Sequence, residues 1–93
     1  MKIAWSHKAE KQLNQIFEYI AADSTFYAYR TVQQIILRVE DLARQPWQGR
    51  VVPEYEREEI REVFYSPYRI IYLLSDDQVE VLSVIHVLDD DPR

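Results

Sequence analysis

The sequence predicts an α+β fold of order β-α-α-β-β-β, an antiparallel sheet with a helical hairpin packed on one face. Three observations predict it. Residues 6–44 carry two successive stripes of apolar residues at helical spacing. Residues 60–87 are rich in β-branched and aromatic side chains. The connections within each of these halves are too short for anything but antiparallel neighbours.

The elements follow in order. Lys2–Trp5 reads as a short strand, and Ser6 behind it supplies a capping hydroxyl. Ala9, Leu13, Ile16, Phe17 and Ile20 then form one face of a helix of about four turns. Asp23-Ser24-Thr25 ends it and caps a second helix, whose stripe is Ala28, Val32, Ile35, Val39 and Leu42. Gln45-Pro46-Trp47-Gln48-Gly49 breaks that helix, and the stretch to Glu59 reads as a solvated, acidic loop. Strands are predicted over Ile60–Tyr65, Tyr68–Leu74 and Val79–Val87, with turns at Ser66-Pro67 and Asp76-Asp77. A polar tail begins at Asp89.

Composition bounds what such a chain does. Its 93 residues, 47% hydrophobic and 29% charged, fit one globular domain spanning 1–93. The absence of cysteine removes disulfides, thiol nucleophiles and thiolate metal sites, and accords with a cytoplasmic protein. One glycine excludes the glycine-rich phosphate loops, and no apolar run approaches a membrane span. No metal site and no cofactor are expected. The net charge of −5 is uneven: seven Lys/Arg oppose five Asp/Glu in residues 1–50, and four oppose eleven in residues 51–93. An acidic second half is a poor surface for a phosphate backbone, which favours a protein partner or a small local site.

Tight turns set a register in which Arg69 lies opposite Phe64 and Val84, and Ile71 opposite Glu62 and Leu82. Alternation then gives one face to Tyr68, Ile70, Tyr72, Leu74, Val79, Val81, Ile85 and Val87, the face expected under the helices. Arg61 shares it and must reach the sheet edge or an acid. The other face holds Glu62, Arg69, Glu80 and His86. There Arg69 is expected diagonal to both Glu62 and His86, as a candidate site or as an ordinary ion pair with Glu62 or Glu80. On the hairpin's outer side, Tyr19, Phe26, Tyr27 and Tyr29 form an aromatic rim fit to receive a partner helix.

The run Arg61-Glu62-Val63-Phe64-Tyr65-Ser66-Pro67-Tyr68-Arg69-Ile70-Ile71-Tyr72, followed by Val79–His86, resembles the RelE/ParE toxin superfamily. Trp5-Ser6, Ala28, Leu42, Pro46, Gly49-Arg50 and Pro53-Glu54 support the likeness, which covers nearly the whole chain. The resemblance implies a bacterial toxin of a type II toxin–antitoxin system, often described as a plasmid stabilisation protein, held by a cognate antitoxin in a hetero-oligomer. RelE-like members cut mRNA on the ribosome; ParE-like members poison DNA gyrase. A RelE-like centre needs several cations around the scissile phosphate and a group to move the 2′-hydroxyl proton. Here only Arg69 matches, with His86 as a base; the matching strand positions hold Ile60 and Glu62, and then Val87 or Asp89. The Trp-Ser start and the Val-Ile-His ending resemble the ParE branch, although the family's basic continuation is replaced here by Asp89-Asp90-Asp91. The expectation is therefore a ParE-like gyrase inhibitor with a ParD-like antitoxin, and Arg61, Glu62, Arg69, His86, Tyr27 and Tyr29 as contact residues. The alternatives are a ribosome-dependent endonuclease using Arg69 and His86, and a non-toxic binding module of the same fold.

Overall fold

Ser6 sets the entry to the first helix twice over. Its side chain accepts from the Ala9 amide, satisfying an orphan donor of the first turn, and its hydroxyl donates to the Leu82 carbonyl across the molecule. Ser24 repeats the capping role for the second helix by accepting from the Tyr27 amide. The computed structural model describes residues 1–89, so the tail from residue 90 onward lies outside the described residues. Within them the order is β1 (Lys2–Trp5), α1 (His7–Ala21), α2 (Thr25–Glu40), a 3₁₀ turn (Asp41–Ala43), β2 (Arg50–Val51), β3 (Ile60–Tyr65), β4 (Tyr68–Leu74) and β5 (Gln78–His86). This is the α+β arrangement read from the sequence, with the short β2 added inside the region read as loop.

The five strands lie in the order β1-β5-β4-β3-β2. The β2–β3–β4–β5 part is antiparallel, as the short turns require. β1 joins the far edge parallel to β5, with Lys2 opposite Gln78 and Trp5 opposite Val81. The crossover through both helices makes that parallel pairing possible.

The helices cover one face. Ala9, Ile35, Val39 and Leu42 meet Val63, Ile70, Tyr72, Val79, Val81 and Val84 there, all buried. Tyr72 is fully enclosed, yet its hydroxyl is satisfied: it donates to the Pro46 carbonyl (2.7 Å) and accepts from the Gly49 amide (3.1 Å). Gly49 has no alternative, because a Cβ there would sit 2.5 Å from the Tyr72 hydroxyl and 2.6 Å from the Glu62 carbonyl oxygen. The opposite face is covered too. Val52 and Tyr55, from the stretch read as a solvated loop, fold back over Ile60, Ile71 and Ile85 to make a second, smaller apolar cluster.

The expected β3–β4 register holds, with Phe64 opposite Arg69 and Glu62 opposite Ile71. The β4–β5 register holds from Tyr72 to Leu74 and then shifts. Tyr72 pairs with Val81 but Ile71 pairs with Ser83, so Leu82 is an extra residue on β5, a bulge. Beyond it every side chain exchanges faces relative to the sequence expectation: Val84 joins the helix-side core and Ile85 the loop-side cluster. The freed pattern is tied down by α1, since the Gln12 side-chain oxygen accepts from the Val84 amide at 2.8 Å.

Candidate interaction site

Three groups of the predicted residues occupy three different places. The first is on the loop-covered face. Glu62, on β3, is 1% exposed, and both its oxygens are held: Oε2 by Arg50 Nε at 2.6 Å, Oε1 by Arg69 Nε at 2.8 Å and Nη2 at 2.7 Å. Arg69 also donates to both carboxylate oxygens of Glu54, at 3.2 and 3.4 Å. Burial pushes the Arg69 guanidinium pKa down, but Glu62 and Glu54 outweigh it, so the net direction is up. A chain of alternating charge, Arg50–Glu62–Arg69–Glu54, therefore straps the loop to the sheet. The expected exposed ion pair is corrected on two counts. Glu62 is buried and offers no partner a surface, and the second acid on Arg69 is Glu54 rather than Glu80. Arg50 and Glu54 were missed as site residues because spacing does not show that the 52–59 stretch folds back.

The second place is a groove on the opposite face, where α1 passes the end of β4 and β5. It has a volume of about 570 Å³ and is lined by Gln12, Gln15, Tyr19, Tyr68, His86 and Asp89 among others. The bulge puts His86 here, opposite Tyr68 on β4, with the two rings edge to face at 6.1 Å. The expected diagonal of Arg69 and His86 is thus overturned: the sheet itself lies between them. The His86 Nδ1 accepts from the Leu88 amide, so among the described residues Nε2 is the nitrogen open to a partner. Burial, with Tyr19 nearby, pushes the Tyr68 phenol pKa up, so Tyr68 stays a neutral donor. Among the described residues, no lysine or arginine lines this groove.

The third place is the hairpin's outer surface. Tyr27 and Tyr29 are 60% and 62% exposed, in company with Tyr19 and Phe26. Tyr29 packs its edge on Phe17 and Phe26 on Tyr27, which stiffens the rim without covering it. Arg61 belongs to none of the three. It reaches the sheet edge, as expected for its side of β3, and donates to the Glu58 and Gly49 carbonyls under an exposed Trp47. Among the described residues there is no group of three or more His, Asp and Glu able to hold a metal ion. No helix among them is long and apolar enough to cross a membrane.

The family model for the ParE toxin of the type II toxin–antitoxin system parDE matches residues 3–90. The chain belongs to the ParE toxin family. A candidate toxin of Sinorhizobium fredii, Y4kP, is 36% identical over 87 residues, covering 91% of this chain and 86% of that one. Among solved structures, a chain of the chromosomal ParDE toxin–antitoxin system of P. aeruginosa superposes with a TM-score of 0.77 at 22% identity, covering 92% of this toxin and 95% of that chain. A chain of the RelBE2 toxin–antitoxin complex of Mycobacterium tuberculosis gives 0.68 at 20% identity, covering 91% and 95%. A YoeB/ParE toxin of Agrobacterium tumefaciens gives 0.67 at 16%, covering 92% and 98%. At these identities the solved structures establish the fold of this ParE-family toxin, of the α+β type set out above.

Proposed function

We propose that this toxin inhibits DNA gyrase by protein–protein contact in the cytoplasm and is neutralised by a cognate ParD-like antitoxin. The observation that carries the reading is the separation of Arg69 from His86. General acid–base cleavage of RNA needs a base and a cation at one phosphate. Here the two lie on opposite faces of the sheet, and the guanidinium is occupied by two carboxylates. Among the described residues the groove around His86 holds Asp89 and no lysine or arginine, which disfavours a scissile phosphate and suits a protein surface. The exposed pair Tyr27 and Tyr29 is the proposed seat of an amphipathic antitoxin helix. Arg61 and His86 are the proposed polar contacts, and the buried Glu62 and Arg69 act by holding the loop.

A DNA supercoiling assay with purified toxin tests this. Loss of supercoiling, or gyrase-dependent DNA breaks, relieved by the antitoxin, is the expected result. Unimpaired gyrase together with cuts in a translated message by primer extension, abolished by Arg69→Ala, would place the toxin with the ribosome-dependent nucleases instead. Replacing Tyr27 and Tyr29 by Ala is expected to weaken antitoxin binding by about tenfold or more. Unchanged affinity in a folded double variant removes the rim from the reading.

A further inference from the structure

A further surface, a cleft at the β2 edge of the sheet, lies beside Arg61 but is lined by residues this reading does not use as contacts, and it has a different chemistry. Between α2 and the β2–β3 pair lies a cleft of about 270 Å³ lined by Arg38, Gln48, Gly49, Arg50, Glu62, Val63 and Phe64. Two arginines face it from different elements. Arg38, on α2, donates Nη1 to the neutral Gln48 side chain at 2.9 Å. Arg50, on β2, is 67% exposed along its side chain and is aimed by two contacts, its Nε on the buried Glu62 and its guanidinium over the Phe64 ring at 5.3 Å. Arg61 lies next to it, donating to Gly49, with its guanidinium 4.7 Å from the centre of the exposed Trp47 ring. Of these three cations only Arg50 has a carboxylate within salt-bridge distance among the described residues. The patch therefore carries surplus positive charge in a chain whose net charge is −5.

We propose that this cleft docks a segment of a partner protein bearing closely spaced Asp or Glu side chains, gripped by Arg38 and Arg50. Planar guanidinium groups held in place bind carboxylates as forked pairs, and the cost of ordering Arg50 is already met by Glu62 and Phe64. A protein segment fits better than a nucleic acid for two reasons. Each aromatic ring at the patch has a guanidinium over one face, which stiffens the cations and leaves less ring surface for bases to stack on. A few cations within an acidic chain also give little of the counterion release that holds a polyanion. Trp and Arg are, moreover, the residue types that anchor protein interfaces. The proposal goes beyond the gyrase reading and stands whichever target the toxin has.

The test is a titration of isotope-labelled toxin with a short blocked peptide of alternating Glu and Ser, followed by the Nε–H signals of the arginines and the indole signal of Trp47. A Gln–Ser peptide and oligothymidylate serve as rival probes. The expected result is saturable shifts at Arg38, Arg50 and Trp47 with the Glu peptide. Affinity should fall about tenfold in Arg38→Gln, be partly restored in Arg38→Lys, and be lost in Arg38→Gln with Arg50→Gln. The hydrogen bond of the Arg38 side chain is an exposed one to neutral Gln48, so its variant is expected to keep the fold and leave the test readable. Shifts mapping elsewhere, unchanged affinity in folded Arg38→Gln, equal binding of the Gln peptide, or tighter binding of oligothymidylate each overturn the proposal.

Discussion

The two faces of this sheet are held by different forces. On the helix side eleven buried residues, from Ala9 to Val84, form one apolar cluster with no charged member. On the loop side four buried residues form a small cluster, and the rest of the hold comes from Arg50, Glu62, Arg69 and Glu54. Apolar packing is non-directional and tolerates rearrangement among similar shapes. A buried carboxylate is not tolerant in that way, because it is stable only while its cations stay in place. The helix side therefore supplies bulk stability, and the loop side supplies a fixed conformation that fails abruptly when one charge is removed.

Single substitutions break or sharpen this contrast. Arg69→Met is expected to cost the most, about 3–5 kcal/mol, because it takes one cation from buried Glu62, leaving it the exposed Arg50, and removes the bond that ties Glu54 to the sheet. Leu42→Ala, the helix-side counterpart, is expected to cost about 2–5 kcal/mol through the cavity it leaves. Denaturant midpoints measure both, and an Arg69→Met variant within about 1 kcal/mol of the parent would falsify the view that charge holds the loop side. Next is Gly49→Ala, expected at about 1–3 kcal/mol because the new methyl meets the Tyr72 hydroxyl and the Glu62 backbone at once. Ser6→Ala is expected to cost about 1 kcal/mol, from the lost helix cap.

The smallest effect separates the sides by pH. Burial raises the pKa of Tyr72, outweighing the Gly49 amide, and raises that of Tyr68. A folded pKa above the unfolded one gives stability that is complete below the unfolded value, about 10, and is lost as pH rises through the folded value. Thermal melts should therefore fall above about pH 10. The fall should be shallower in Tyr72→Phe, which removes one of the two phenols whose pKa burial raises. An identical alkaline profile in Tyr72→Phe assigns the loss to other groups.

Much of the helix side was legible. The stripes of α1 and α2, the Ser6 and Ser24 caps and the β3–β4 register all follow from spacing, and the structure keeps them. The loop side was not, for two physical reasons. The β5 alternation breaks at Val81-Leu82-Ser83-Val84-Ile85, where apolar pairs flank one serine; two neighbouring apolar residues leave the face of each undecided, and the bulge decides it. That single extra residue carried His86 away from Arg69. The acidic stretch at Glu54–Glu59 was read as solvated by its charge, though Val52 and Tyr55 within and before it were the signal that it packs. Arg50 and Glu54 meet Glu62 and Arg69 only after that packing, so no local pattern shows the brace.

The parallel seam between β1 and β5 has a consequence for how the molecule comes into being. Residues 2–5 pair with residues 78–81, and the Lys2 amide donates to the Asp77 carbonyl, so the first strand made must wait for the last. Joining ends that far apart carries the full entropy of a long closure, which makes it a late event. During synthesis the sheet is incomplete until residues 78–81 have left the ribosome. The toxin is thus still unfinished as it emerges, which leaves an interval in which a partner can reach it before the sheet closes.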